Sequence, residues 1–219
     1  MLNGFFFETP IDSTFIGHQV AEIFKDRVYD KYLAGKKDLT IFDIGGNIGL
    51  AAYYFSQFAK EVHTFEPAQE HYTVLTHQLL FNNLQNVIPH RVAIANKDGE
   101  ADFFHTVNRT MYSLNPAQGH INEDNPKERV KTMRLDTFFN KYNIEHVDFM
   151  KIDVEGSEDD ILCGDGFQNI ADKVDMVFLE LHTWTNRNHN QLKDALKIAG
   201  FTVEVIPNDA ILWIARKND

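Results

Sequence analysis

The chain has 219 residues, enough for one α/β domain with a core of its own. Its 43 % apolar content marks a globular protein, and no run approaches the roughly 18 to 20 apolar residues of a membrane span. The balance of 21 basic against 32 acidic residues gives a net charge of -11, and no Lys/Arg cluster marks a face built for a phosphate backbone. Nucleic acid is therefore disfavoured as a partner.

The N-terminal stretch "MLNGFFFETPIDSTF" has neither a basic n-region nor a long apolar h-region, so no signal peptide is expected. Its Phe5–Phe7 run leaves open packing on a sheet or an oligomer contact. The single cysteine, Cys163, cannot close an internal disulfide, which fits a reducing compartment. A cytoplasmic location is the expectation. Residues 14–33 space Phe15, Ile16, Val20, Ile23, Phe24, Val28 and Leu33 on one face of a helix.

"LTIFDIG" then predicts a buried strand and "IGLAAYYFSQFAK" a helix. "EVHTFEP" predicts a second strand, ended by Pro67, and "AQEHYTVLTHQLLFNN" a second helix. "NVIPHRVAIAN" is a third strand region, interrupted by Pro89, and "GEADFFHTV" a further short strand. Residues 108–128 are polar, rich in Asn, Pro and Gly, and aperiodic; segments of that kind are lids, binding loops or disorder. "RVKTMRLDTFFNKY" resumes with a strand and a short helix. "VDFMKIDVEG" and "DMVFLELHT" are strands, "NQLKDALKIAG" is a helix with a glycine stop, and "FTVEVIP" and "AILWIARK" close as strands. Alternating strands and helices imply a mostly parallel, doubly wound sheet. The "NDA" between the last two strands is too short for a parallel crossover, so that pair is antiparallel.

In such a sheet the ligand lies beyond the carboxyl ends of the strands, at the first βα turn. Here that turn is Asp43-x-Gly45-Gly46-Asn47-x-Gly49. A dinucleotide fingerprint needs a glycine at its second position, where the backbone meets the pyrophosphate; the two possible registers put Asn47 or Ile48 there. No Gly-Lys-Ser/Thr follows, so a Walker A loop is also excluded. A side chain at that point suits a smaller group held by directed hydrogen bonds, such as the amino-acid end of S-adenosylmethionine. Asp43 repels phosphate and attracts an ammonium group. Glu66 ends the second strand, near the spacing of about 20 residues at which an acid binds ribose hydroxyls. A tight turn with a capping aspartate is the plainer explanation of the loop alone. The loop together with Glu66 favours a nucleoside cofactor.

"MKIDVEGSEDDIL", residues 150–162, places Asp153 and Glu155 on one side of a strand end by alternation. Ser157 is expected to cap the following helix, and Glu158, Asp159 and Asp160 read as an acidic helix start favoured by the helix dipole.

"FDIGGNIGL", "VHTFEP" and "MKIDVEGSE", in this order, resemble the FkbM family of S-adenosylmethionine-dependent methyltransferases. The likeness runs from about residue 40 to 182 and loosely to the end through "FLELH" and the closing strands. It implies a class I methyltransferase (Rossmann-like) fold: a doubly wound, mostly parallel seven-stranded sheet with an antiparallel last strand. It divides the chain into an N-terminal helical extension, 1–38, and a methyltransferase domain, 39–219, with a loop insertion at about 106–130. The first and last of these segments match no family motif and are expected to select the substrate. The resemblance implies an O-methyltransferase acting on a saccharide or natural-product hydroxyl. By position it implies cofactor contacts from Asp43, Gly45, Gly46, Asn47 and Gly49 to the methionine part, from Glu66 and Pro67 to the ribose, and from Val92 and Ala93 to the adenine. Asp153 is implied to face the sulfonium.

Candidate proton acceptors are His182, Asp153 and Glu155, with His182 set by its neutral-range imidazole. Tyr112, Ser113 and Asn115 are candidate acceptor contacts. The same acids with His182 offer ligands of the kind Mg²⁺ prefers, but no metal is expected to be required. Two rival readings stand beside this one: a Rossmann-type NAD-dependent oxidoreductase, and a non-catalytic cofactor-binding protein of the same fold.

Overall fold

In the computed structural model, residues 13–106, 112–115, 122–182, 189–206 and 211–218 are described. Phe5–Phe7 and the "NDA" linker lie outside them. Helix α1, Ser13–Val20, runs into a π-helical segment, Ala21–Asp26, and stops at Arg27, whose backbone is left-handed (φ 55°). A short helix α2, Asp30–Leu33, follows. The continuous helix expected over 14–33 is thus broken once. Its apolar face survives the break, because Ile16, Ile23, Tyr32 and Leu33 are all buried.

Strand β1, Leu39–Ile44, is buried along its whole length. It is an interior strand of a sheet completed by β2 (Ala59–Phe65), β3 (Val87–His90), β8 (Phe149–Ile152), β9 (Met176–Glu180), β10 (Phe201–Val205) and β11 (Leu212–Lys217). The order across this sheet is β10-β11-β9-β8-β1-β2-β3. Strand β11 inserts between β9 and β10 and runs antiparallel to both. The sequence-based expectation of a seven-stranded sheet with an antiparallel last strand is met. Pro89 does not interrupt β3 but sits inside it. An edge strand tolerates the missing N–H, and β3 is the sheet's edge.

Strand alternation sorts the core. Phe42 and Ile44 point to a cluster with helices α5 (Leu135–Tyr142), α6 (Glu158–Leu162), α7 (Asp165–Gln168) and α8 (His189–Ile198). Ile41 points the other way, to α1, α2, α3 (Leu50–Ser56) and α4 (Gln69–Phe81). Asp43 shares Ile41's parity, so a carboxylate is delivered into that second face at the carboxyl edge of the sheet.

The third strand region divides after β3. Strand β4, Ala93–Ile94, leaves the main sheet and joins β5 (Gly99–His105), β6 (Tyr112–Ser113) and β7 (Lys127–Met133) in a four-stranded sheet of order β4-β7-β5-β6. Ala68, Ala93, Phe103, Tyr112 and Val130 form a small core beneath it. This sheet stands over the carboxyl edge of the main one. Strands β6 and the start of β7 fall inside the stretch read from sequence as an aperiodic loop.

Candidate active site

The loop after β1 is tied to its neighbours by its own amides. Gly45 N–H and Gly46 N–H both donate to Phe65 C=O, at 3.1 and 2.9 Å. Gly49 N–H donates to Gly46 C=O at 2.8 Å, and Asn47 N–H to Glu66 Oε2 at 2.9 Å. A dinucleotide loop leaves such amides for the diphosphate; here four of them are already used. The glycines answer to packing. A Cβ on Gly45 (φ 86°) would lie 1.8 Å from the Asp153 carbonyl oxygen, and one on Gly46 would lie 2.1 Å from Thr64 Oγ1. The loop therefore touches the ends of both flanking strands.

Beneath it lies a buried polar row. Thr64, Asp43 and Lys151 stand side by side on β2, β1 and β8. Thr64 Oγ1 donates to Asp43 Oδ2 at 2.9 Å. Lys151 Nζ donates to Gly45 C=O at 2.8 Å and pairs with Asp43 Oδ1 at 3.5 Å and Asp153 Oδ2 at 3.1 Å. Burial pushes the Asp43 carboxyl up, against the pull of the Lys151 charge and the Thr64 hydrogen bond. Burial would lower Lys151, but the Asp153 and Asp43 charges outweigh it and hold the ammonium. Asp43 is fully buried and lies under the loop rather than in the crevice above it.

That crevice runs along the carboxyl ends of β1, β2 and β8. Gly45, Asn47, Glu66, Pro67, Val92 and Ala93, all read from sequence as candidate cofactor contacts, line it. Tyr112 closes it from the small sheet, packed against His71 with ring centroids 4.6 Å apart. Asp153 and Glu155 form its far wall. Gly46 borders a second, adjoining cavity together with Lys151, Glu180 and Glu22, and Gly45, Asn47, Asp153 and Glu155 border both. Gly49 packs against Leu75 instead. Ser113 Oγ donates to Glu155 C=O at 2.7 Å and accepts from Asn115 N–H at 3.0 Å. Asn115 itself borders a separate surface cavity with Asn96 and Asp160.

Glu66 accepts two backbone hydrogen bonds, from Asn47 and from Ala68 at 2.8 Å. Burial nevertheless pushes its carboxyl up to about 8, because two amide donors do not replace the lost solvation. It is thus a largely protonated group, and a carboxylic acid both donates to and accepts from a vicinal diol.

The strand β8 ends at Ile152, so Asp153 and Glu155 are not brought together by strand alternation as expected. A turn does it: Glu155 is left-handed (φ 55°) and Gly156 follows at φ 99°. His182, two residues past β9, reaches both. Its Nε2 lies 3.7 Å from Asp153 Oδ1 and 3.3 Å from Glu155 Oε2. Its Nδ1 lies 2.6 Å from Glu158 Oε1. Burial alone would lower the imidazole; the Glu158 hydrogen bond and the Glu155, Glu158 and Asp153 charges outweigh it and raise it to about 10. Asp153, Glu155 and His182 are close enough to surround a cation, but Lys151 and the imidazolium already supply positive charge there.

Sequence reasoning missed Lys151, Glu158 and Glu180. Lys151 was open to discovery, since it shares Asp153's parity in "KID". Glu158 was read as a helix-start charge, yet it is buried and accepts Gly156 N–H at 3.1 Å. Ser157, expected as the cap, makes no side-chain cap bond; Glu158 covers the turn before the helix instead.

The crevice fits an adenosyl sulfonium. Asn47 Oδ1 is a buried acceptor without a hydrogen-bond partner, the acidic walls suit a cationic ligand, and the loop amides leave little for a diphosphate. Comparison with known proteins agrees. The chain is 27 % identical over 202 residues to Methyltransferase 1 of Beauveria bassiana, covering 84 % of this chain and 80 % of that one. A precorrin-6y C5,15-methyltransferase from Geobacter metallireducens superposes with a TM-score of 0.54 at 12 % identity, covering 99 % of this chain and 95 % of that one. SMU.1697c of Streptococcus mutans, solved with S-adenosylhomocysteine, superposes with a TM-score of 0.51 at 11 % identity over 88 % of this chain and 97 % of that one. These two structural likenesses speak for the fold. The methyltransferase FkbM domain matches residues 43–203. The chain therefore belongs to the FkbM methyltransferase family, and its cofactor is S-adenosylmethionine.

Proposed function

We propose that this enzyme methylates a hydroxyl of a small, uncharged acceptor, a saccharide or a natural-product alcohol. One observation carries the reading: the cavity adjoining the cofactor crevice is walled by Glu22, Asp153, Glu155 and Glu180. Carboxylates accept hydrogen bonds from hydroxyls and repel phosphates, so a nucleic-acid backbone fits this wall poorly. Glu22 comes from the helical extension before residue 39, and Ser113 of the 106–130 stretch holds the backbone of Glu155. Both segments expected to select the substrate therefore reach the acceptor side.

When bound, the sulfonium supplies an activated methyl group. Glu66 and Pro67 would hold the ribose, Val92 and Ala93 would flank the adenine, and Gly45 and Asn47 would receive the methionine end. Asp43 and Lys151 act from beneath, fixing the loop against β8. The enzyme's main task is alignment, which is worth roughly 7 to 11 kcal/mol in well-oriented reactions. No described helix is long and apolar enough to cross a membrane. The exposed thiol of Cys163 fits work in a reducing cytoplasm.

The test is transfer of label from methyl-labelled S-adenosylmethionine to a panel of neutral glycosides and small alcohols, with RNA and amines alongside. Labelled methyl ethers support the reading. Label on RNA or on amines alone rejects the acceptor class. S-adenosylhomocysteine binding with no transfer to any class favours a non-catalytic protein.

A further inference from the structure

We propose that Glu155 is the proton acceptor of methyl transfer, and that the His182 ring, held by Glu158, is a fixed cationic strut that positions it. The inference rests on the hydroxyl-acceptor reading above. Three groups near the transfer point compete for the role, and geometry separates them. Asp153 is engaged through Oδ2 by the buried Lys151 ammonium at 3.1 Å. His182 is clamped at Nδ1 by the buried Glu158 carboxylate at 2.6 Å, and its Nε2 faces two carboxylates. A ring held among three carboxylates keeps its second proton, so it has no lone pair to offer. Glu155 differs from both. Its Oε2 is buried and lies 3.3 Å from His182 Nε2, an ion pair without a hydrogen bond, so its lone pairs remain available. It borders the cofactor crevice and the acceptor cavity alike, whereas Glu180 borders the acceptor cavity only.

The backbone is built to hold Glu155 there. A non-glycine residue at φ 55° is strained and persists only where its surroundings impose it. Ser113 grips its carbonyl, and Glu158 accepts from Gly156 N–H immediately after it. The groups facing Glu155 are Lys151 from β8 and Asp153 just after it, Glu158 from α6, Glu180 at the end of β9 and His182 just beyond, and Glu22 from the π-helical segment. Burial first, then the neighbouring acids, push its carboxyl up to about 7 against the pull of His182. That value suits a base working near neutrality.

The step balances. The acceptor oxygen bonds to the methyl carbon as the carbon–sulfur bond breaks and leaves its electron pair on a neutral thioether. The hydroxyl proton passes to Glu155 and later to water.

The primary test is ¹⁵N NMR of the histidine rings in the full chain saturated with S-adenosylhomocysteine, followed from pH 6 to 9. His182 keeps both ring protons across that range if the proposal holds. A ring that turns neutral near pH 7 overturns it. In Glu158→Gln the clamp survives as a hydrogen bond without its charge, and the ring's titration moves down toward neutrality. The second arm uses the fastest acceptor of the labelled panel. Glu155→Gln lowers turnover by about 100-fold or more, while calorimetric affinity for S-adenosylhomocysteine stays within about 3-fold. Wild-type turnover in Glu155→Gln, or the loss falling on Glu180→Gln instead, overturns the assignment. A wild type that binds S-adenosylhomocysteine but methylates no hydroxyl fails the acceptor reading, and the ring protonation then decides the strut by itself.

Discussion

Replacing Gly45 with alanine adds one carbon at the most crowded point of the cofactor loop. The new Cβ would sit 1.8 Å from the Asp153 carbonyl oxygen, and the neighbour is backbone, so no side chain can swing aside. Ordinary contact needs well over 1 Å more, and either the loop or the end of β8 must move by that amount. Two costs add. The left-handed conformation at φ 86° is worth about 1 to 2 kcal/mol against a side chain. Forcing a methyl into a packed site costs about 1 to 3 kcal/mol more. The expected loss is about 2 to 5 kcal/mol. The displacement also parts the Gly45 carbonyl from Lys151 Nζ and shifts Asp153. Two controls divide the effect. Gly35→Ala shares the left-handed backbone (φ 80°) but meets nothing within 4 Å, so it carries the conformational cost alone and leaves the cofactor site intact. Gly46→Ala meets Thr64 Oγ1 at 2.1 Å without a left-handed backbone. Urea denaturation and titration with S-adenosylhomocysteine are the assays. Gly45→Ala is expected to lose most stability and nearly all binding, and Gly35→Ala to bind as wild type. A Gly45→Ala protein with the wild-type midpoint and affinity would refute the packing argument.

Glu66→Ala should weaken S-adenosylhomocysteine by about 1 to 3 kcal/mol, two neutral hydrogen bonds of about 0.5 to 1.5 kcal/mol each, if the group holds the ribose; unchanged affinity in a protein of wild-type fold rejects that role. Lys151→Met leaves the buried Asp43 and the half-buried Asp153 without their cation and should cost about 3 to 5 kcal/mol of stability in denaturation. Adding Asp43→Asn should recover part of it, and additive losses would contradict the coupling. The pH profile of stability follows from raised groups. A raised folded pKa gives stability that is full below the unfolded value and lost as pH climbs through the folded one. Glu66 loses its share between about 4.5 and 8, and His182 between 6.5 and about 10. The urea midpoint should therefore fall steadily from pH 7 to 10, and a midpoint that rises over that range contradicts the buried charge arrangement. Dialysis against EDTA should leave turnover unchanged, since Lys151 and His182 already compensate the acids; a loss reversed by Mg²⁺ would show that a metal is needed.

Much of the main sheet was legible because each strand is a short apolar run with turn residues at its end. The short link between the last two strands also predicted their antiparallel pairing. The small sheet was harder to read. Strand β7 was read from Arg129 onward, but its charged start, Lys127 and Glu128, merges with the polar stretch before it, and β6 is only two residues long and gave no periodicity. The cofactor loop was legible because glycine and asparagine there answer to close approach and positive φ. The proton chemistry was not. His182 looks like a free imidazole in "FLELH", and its partner Glu158 lies 24 residues away in a run of acids that helix dipoles explain equally well. Only the folded turn at Glu155 and Gly156 turns that acid inward.

The account depends on a crevice made for a sulfonium cofactor and closed to a diphosphate. Calorimetric titration of the full chain with S-adenosylhomocysteine, repeated in excess NAD, tests this most directly. One site per chain, with an affinity that NAD leaves unchanged, is the expected result. NAD binding at that site, displacing S-adenosylhomocysteine, would contradict the account.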